Sequence, residues 1–186
     1  MMLVGDLIAG QSASIPREQV KAMWASFNQN IQRPLQEAGI PIGVGLGNHD
    51  ADPNVPIDRE EAEIYWKNNA PALNYVDSTH FPFYHAFTAV DGQLFCIALD
   101  GVNATNTNDD VLAWVETMLQ TPEAQNASLR FIFSHLPLFR LQQPLQRPRR
   151  HSTEKLRIAG ALPTVQGADL CRCAPRCLLS RSPPGH

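Results

Sequence analysis

Cysteine is scarce over most of this chain. Residues 1–139 hold one, Cys96, set inside an apolar run. A disulfide framework for that region is thereby excluded. Long apolar runs are missing as well: none approaches the roughly 20 residues that cross a bilayer. The N-terminal Met1-Met2-Leu3-Val4 has neither the basic start nor the apolar core of a secretory signal. The expectation is a soluble chain with no membrane partner and no targeting segment within these residues, the compartment staying open because such a segment could precede them. No internal repeat is present. A charged content of 18% beside 44% hydrophobic residues describes a globular protein, not a disordered one.

The length of 186 residues suits one domain with an appendage. The net charge of −3 conceals a step: residues 1–139 carry 16 acidic and 6 basic side chains, residues 140–186 carry 2 and 9. Three of the four cysteines and six of the fifteen prolines also follow residue 139. A change this abrupt marks a boundary. The reading is a body over 1–139 and a basic, Pro/Arg/Cys-rich tail over 140–186 without regular structure, apart from a helical turn or two at Leu156 to Leu162.

The body alternates strand and helix signals. Residues 1–5 read as the end of a strand. Ser14 or Ile15-Pro16 opens a helix whose Val20, Met23, Trp24, Phe27, Ile31 and Leu35 form an apolar stripe at spacings of three and four, interrupted by Pro34. Residues 40–46 read as a strand, Asp58 to about Asn69 as a helix. Phe83 to Val90 and Gln93 to Leu99 flank Asp91-Gly92, a hairpin signal. Asn108-Asp109-Asp110 caps a helix carrying Val111, Leu112, Val115, Met118 and Leu119. Leu129 to Phe133 is a short buried strand. Strand, helix and strand in succession predict an α/β fold with ligands gathered beyond the carboxyl ends of the strands.

Three strands end in polar residues: Asp6, Asn48-His49-Asp50 and His135. Each has an ordinary reading. Asp6 after Gly5 suits a turn, Asn48-His49-Asp50 suits a turn with a helix cap, and His135 suits a satisfied strand-end histidine. Their repetition within one α/β chain points instead to a site. Oxygen and imidazole donors suit zinc, manganese or iron. His49, with Asp50 as its hydrogen-bond orienter, is placed to donate a proton to a departing oxygen.

Gly5-Asp6, Gly47-Asn48-His49-Asp50 and Ser134-His135-Leu136-Pro137, in that order, resemble the calcineurin-like metallophosphoesterases, most closely the branch of purple-acid-phosphatase-like enzymes. The likeness covers about residues 1–139, including Phe95 to Asp100 and Leu112 to Leu119. It implies a sandwich of two mixed β-sheets flanked by helices, incomplete here. It implies two divalent or trivalent ions (Mn, Fe or Zn) and hydrolysis of a phosphomonoester or small diester by a metal-activated water. By position, Asp6 would be the bridging metal ligand, Asn48 and His135 would bind the second metal, and His49 and Asp50 would be the acid and its partner.

The family's first block, Asp-x-His, belongs upstream of Asp6, and its last, Gly-His-x-His, belongs downstream of His135. Neither is present, so the chain reads as truncated at its start. One ion keeps three side chains and the other only the bridge. The resemblance therefore leaves a second reading open, a catalytically inactive remnant binding at most one metal. Codons for Arg181-Ser182-Pro183-Pro184-Gly185, shifted by one nucleotide, can spell Gly-His-His-Gln, which suggests a shifted frame after about residue 162. Cys171-x-Cys173-x3-Cys177 lacks a convincing fourth zinc ligand. Arg147 to Arg150 is a weak basic patch, and no nucleic-acid partner is expected.

Overall fold

A computed structural model describes residues 1–100, 102 and 109–136, together with the backbone of 177–181. The described residues are mixed α/β with two sheets. The first sheet pairs β1 (Met2–Val4) with β2 (Gly43–Gly45), parallel and in the register Leu3 to Val44. Between them run α1 (Arg17–Phe27), a π-helical segment over Asn28–Gln32, and α2 (Arg33–Glu37). The short helix α3 (Asn48–Ala51) and then α4 (Pro56–Asn68) follow β2.

The second sheet has the order β3 (Asn74–His80), β4 (Tyr84–Ala89), β5 (Leu94–Ala98), β6 (Leu129–Phe133), β7 (Cys177–Arg181). Only the β5–β6 pair is parallel; the others are antiparallel. Helices α5 (Asp109–Leu119) and α6 (Pro122–Asn126) lie in the β5–β6 crossover.

Alternation along the strands sorts the layers. Phe95, Ile97, Leu99 and Ile132 pack with Val115, Met118 and Leu119 of α5. The intervening Cys96, Ala98, Phe133 and Phe87 pack with Met2 and Val4 of the first sheet. Gly43 and Gly45 leave room there: a Cβ would lie 2.8 Å from the Phe87 ring at position 43 and 3.2 Å from the Phe133 ring at position 45. The other face of the first sheet, with Ile42, Val44 and Leu46, meets Trp24 and Phe27 of α1 and Trp66 of α4. Trp24 stacks on Tyr65 at 4.5 Å. The order is therefore helices, sheet, sheet, helices.

The structure departs from the sequence expectations at four places. The apolar stripe of the first helix does not run through to Ile31, which is 43% exposed, while Gln32 is fully buried. The reason is the π segment, in which the Arg33 N–H donates to the Asn28 carbonyl, one residue further back than in an α-helix. That extra residue shifts the phase by one just before Pro34. Gln32 then donates to the Asn69 carbonyl at 2.7 Å and accepts from the Tyr65 hydroxyl.

Strand β3 has no counterpart in the expectations. Its Asn-Tyr-Val-Asp-Ser-Thr-His sequence is too polar to read as a strand, and it holds the sheet edge. The expectation of two mixed sheets holds for the five-stranded sheet only, since β1 and β2 are parallel. Finally, Cys177–Arg181 lies within the segment read as an irregular tail, yet it pairs with β6 from Phe133 opposite Cys177 to Leu129 opposite Arg181. The Asn108 cap, the helical turns at 156–162, and Cys171, Cys173, His151 and His186 lie outside the described residues. Among the described residues no helix is long and apolar enough to cross a membrane.

Candidate metal centre

The parallel β1–β2 pair brings the carboxyl ends of two strands side by side, and β6 delivers a third from the sheet packed against them. Asp6 follows β1 with φ +54, a left-handed conformation that is costly for a residue with a Cβ. It turns a partly exposed carboxylate toward His135. Gly5 just before it has φ +80, and a Cβ there would sit 2.7 Å from His135 Nδ1, so this close approach requires glycine.

His135 is buried just past β6, and its two ring nitrogens divide their work. Nδ1 is 2.8 Å from the Val4 carbonyl oxygen. A carbonyl only accepts, so Nδ1 carries the proton. Nε2 is 2.9 Å from Asn48 Oδ1 and 3.2 Å from Asp6 Oδ1. An amide oxygen and a carboxylate oxygen thus both face one imidazole nitrogen. A second ring proton, a cation among them, or an Asn48 amide turned to donate Nδ2–H to the ring makes the arrangement favourable.

Asn48, His49 and Asp50 form α3, and here the structure corrects the sequence reading of Asp50. Its carboxylate does not orient His49. Oδ1 accepts from the backbone N–H groups of Leu7 at 2.7 Å and Ile8 at 3.0 Å, and Oδ2 accepts from Gly47 N–H at 2.8 Å. Asp50 is fully buried and organises the loop after β1 and the start of α3 together. The helix-cap reading describes this contact. Burial pushes its carboxyl up to about 6, against the opposing pull of the three N–H donors.

The His49 backbone N–H donates to Asp6 Oδ1 at 3.2 Å, which ties α3 to the carboxylate. The His49 ring turns the other way: Nδ1 lies 3.3 Å from the Gly10 carbonyl oxygen. The protonated nitrogen is again Nδ1, leaving Nε2 unengaged among the described residues.

Sequence reading missed the groups that brace this corner. Asp58, read only as a helix start, is fully buried and accepts from Gln11 N–H through Oδ2 at 2.7 Å. Burial raises its carboxyl above the usual range. Arg59 donates to the Ala51 carbonyl at 3.1 Å and to Asp100 Oδ2 at 2.5 Å, and lies 3.9 Å over the Phe83 ring. It fastens α4 to the end of α3 and to the end of β5. No spacing in the sequence marks these contacts, which join residues from 8 to 47 positions apart.

Asp6, Asn48 and His135 are brought together, His49 borders them through its backbone, and Asp50 stands behind. Among the described residues no group of three His, Cys, Asp or Glu side chains is placed to hold a metal; the trio counts only through the Asn48 oxygen. No family model, no curated protein and no solved structure matches this chain.

Proposed function

We propose that the chain carries the metal site of a phosphoesterase and that its chemistry is metal-dependent hydrolysis of a phosphate monoester or small diester. The observation that carries the reading is that Asn48 Oδ1, at 2.9 Å, and Asp6 Oδ1, at 3.2 Å, both approach His135 Nε2, from the ends of three strands. The donor set fits a borderline cation such as Zn, Mn or Fe. His135 supports it further, since the Val4 carbonyl holds the Nδ1–H tautomer and turns the Nε2 lone pair inward, as metal-binding histidines are commonly held. The four-layer order agrees with a metallophosphoesterase-like sandwich, the fold that the ordered Gly-Asp, Gly-Asn-His-Asp and Ser-His-Leu-Pro blocks imply.

Bound at this site, the ions supply Lewis acidity that activates water and offsets charge on the phosphoryl group. The chain's own residues do the rest. Asp6 and Asn48 orient the site. His49, with Nδ1–H held by the Gly10 carbonyl, presents Nε2; in the imidazolium form Nε2 carries a second proton, and that proton passes to the leaving oxygen.

A second reading is a one-metal site without turnover. It is favoured by the donor count, since the described side chains supply a trio for one cation and share only Asp6 with another. One experiment separates the two. The full chain is loaded with Mn, Zn or Fe, its metal content is measured, and p-nitrophenyl phosphate and its bis ester are offered. Two ions per chain, with turnover lost in Asp6→Ala, support the phosphoesterase. One ion or fewer, with no turnover, supports the second reading.

A further inference from the structure

Gly10 and Gln11 share one peptide group, and both of its polar atoms are engaged. Its carbonyl oxygen accepts from His49 Nδ1 at 3.3 Å, and its N–H donates to Asp58 Oδ2 at 2.7 Å. We infer that Asp58 is a positioning residue for His49, acting through the Gly10–Gln11 peptide as a carboxylate–peptide–imidazole relay. Its role in turnover rests on the phosphoesterase reading; its geometry does not.

Four observations carry the relay. Asp58 is fully buried, and its Oδ1 has no hydrogen-bond partner among the described residues, so its one engaged oxygen serves this peptide. Gln11 takes φ +69, a strained conformation for a residue with a Cβ, and the bond to Asp58 is what the strained peptide gains. Gly10 is wedged in place: a Cβ there would overlap the His49 carbonyl and lie 2.7 Å from Asp58 Oδ2. Asp50, the neighbouring carboxylate that could orient His49, is committed to Leu7, Ile8 and Gly47.

The physical effect is polarisation. A carboxylate accepting from one end of a peptide makes the carbonyl at the other end a stronger acceptor. That holds one proton on His49 Nδ1 and fixes the ring plane, leaving Nε2 to take a second proton from solvent and pass it to a leaving group. An aspartate bonded directly to a histidine does the same; here a backbone unit is interposed.

The test reads the tautomer and the kinetics separately. Nitrogen-15 NMR of the full chain reports which His49 ring nitrogen carries the proton. Wild type is expected to show the Nδ1–H form. Asp58→Asn keeps an oxygen for Gln11 N–H but removes the charge, so the Nδ1–H to Nε2–H ratio should fall about threefold or more. In the metal-loaded protein kcat should fall roughly ten- to a hundredfold, as for other outer partners, with KM nearly constant.

A wild-type Nε2–H tautomer overturns the relay, as does a folded Asp58→Asn with unchanged tautomer ratio. A tautomer shift in a chain that hydrolyses no phosphate ester upholds the relay and removes the phosphoesterase reading. If Asp58→Asn does not fold, the wild-type tautomer and the through-hydrogen-bond coupling from Gln11 nitrogen to the Asp58 carboxyl carbon decide. Absence of that coupling overturns the relay.

Discussion

His135 Nε2 stands 2.9 Å from Asn48 Oδ1, a contact between residues 87 positions apart that closes the ends of β2 and β6 onto one point. The same nitrogen lies 3.2 Å from Asp6 Oδ1, and the Val4 carbonyl fixes the ring that presents it.

Removing any one of the three donors should cost metal binding more than it costs stability. His135→Ala and Asp6→Asn are expected to weaken Zn or Mn binding at least about a hundredfold, beyond the loss typical of an outer partner. Titration calorimetry on the full chain measures this. Affinity unchanged in both variants would place the metal elsewhere.

Asp50 should behave as a structural carboxylate. Asp50→Asn places an amide donor against at least one of three backbone N–H groups, those of Leu7, Ile8 and Gly47. Leaving a buried donor without its charged acceptor costs about 2 kcal/mol. Urea denaturation reads the loss. A variant as stable as wild type, yet catalytically dead, would restore Asp50 to the acid–base role that the sequence suggests.

His85 sets an acid limit. It is fully buried in β4, both ring nitrogens lack hydrogen-bond partners among the described residues, and Tyr75, Phe81 and Phe87 surround it. Burial lowers its pKa from the ordinary 6.5 to about 4. The folded state therefore binds this proton less readily than the unfolded state. Its contribution is complete above pH 6.5 and is lost as pH falls toward 4, by up to about 3 kcal/mol. His85→Phe should flatten that part of the stability–pH curve. An equal drop between pH 7 and pH 5 in both proteins would show that other groups set it.

Cys96 should be inert. It is fully buried between the sheets, and burial pushes its thiol up to about 12. Cys96→Ser is expected to leave the number of thiols reactive in the native chain unchanged and to lower the denatured count by one. Rapid labelling of native Cys96 would show that the sheets separate.

The sequence was most informative where a pattern repeats locally. Leu129 to Phe133 emerges as β6 with the predicted bounds, and the Asp91-Gly92 hairpin joins β4 to β5 through Val90, Asp91 and Gly92, all at positive φ. These elements are legible because apolar alternation and turn chemistry act between near neighbours. The π segment was not, since a one-residue shift of hydrogen bonding leaves no periodic trace beyond Pro34. Strand β3 was not, since its partner β4 and its edge position, not its own residues, make it a strand.

The same division runs through the site. The sequence by itself determined that Asp6, His49 and His135 follow strands, because each polar residue ends an apolar run that must be buried. It also determined the trio of donor types. Only the tertiary structure decided which atoms meet: that Asp50 turns back to three backbone N–H groups, that His49 leans on Gly10, and that Asp58 stands behind both. Those contacts depend on where the loop after β1 comes to rest against α4. Backbone groups carry no sequence signature, so a partner recruited from the main chain becomes visible only once the chain has folded.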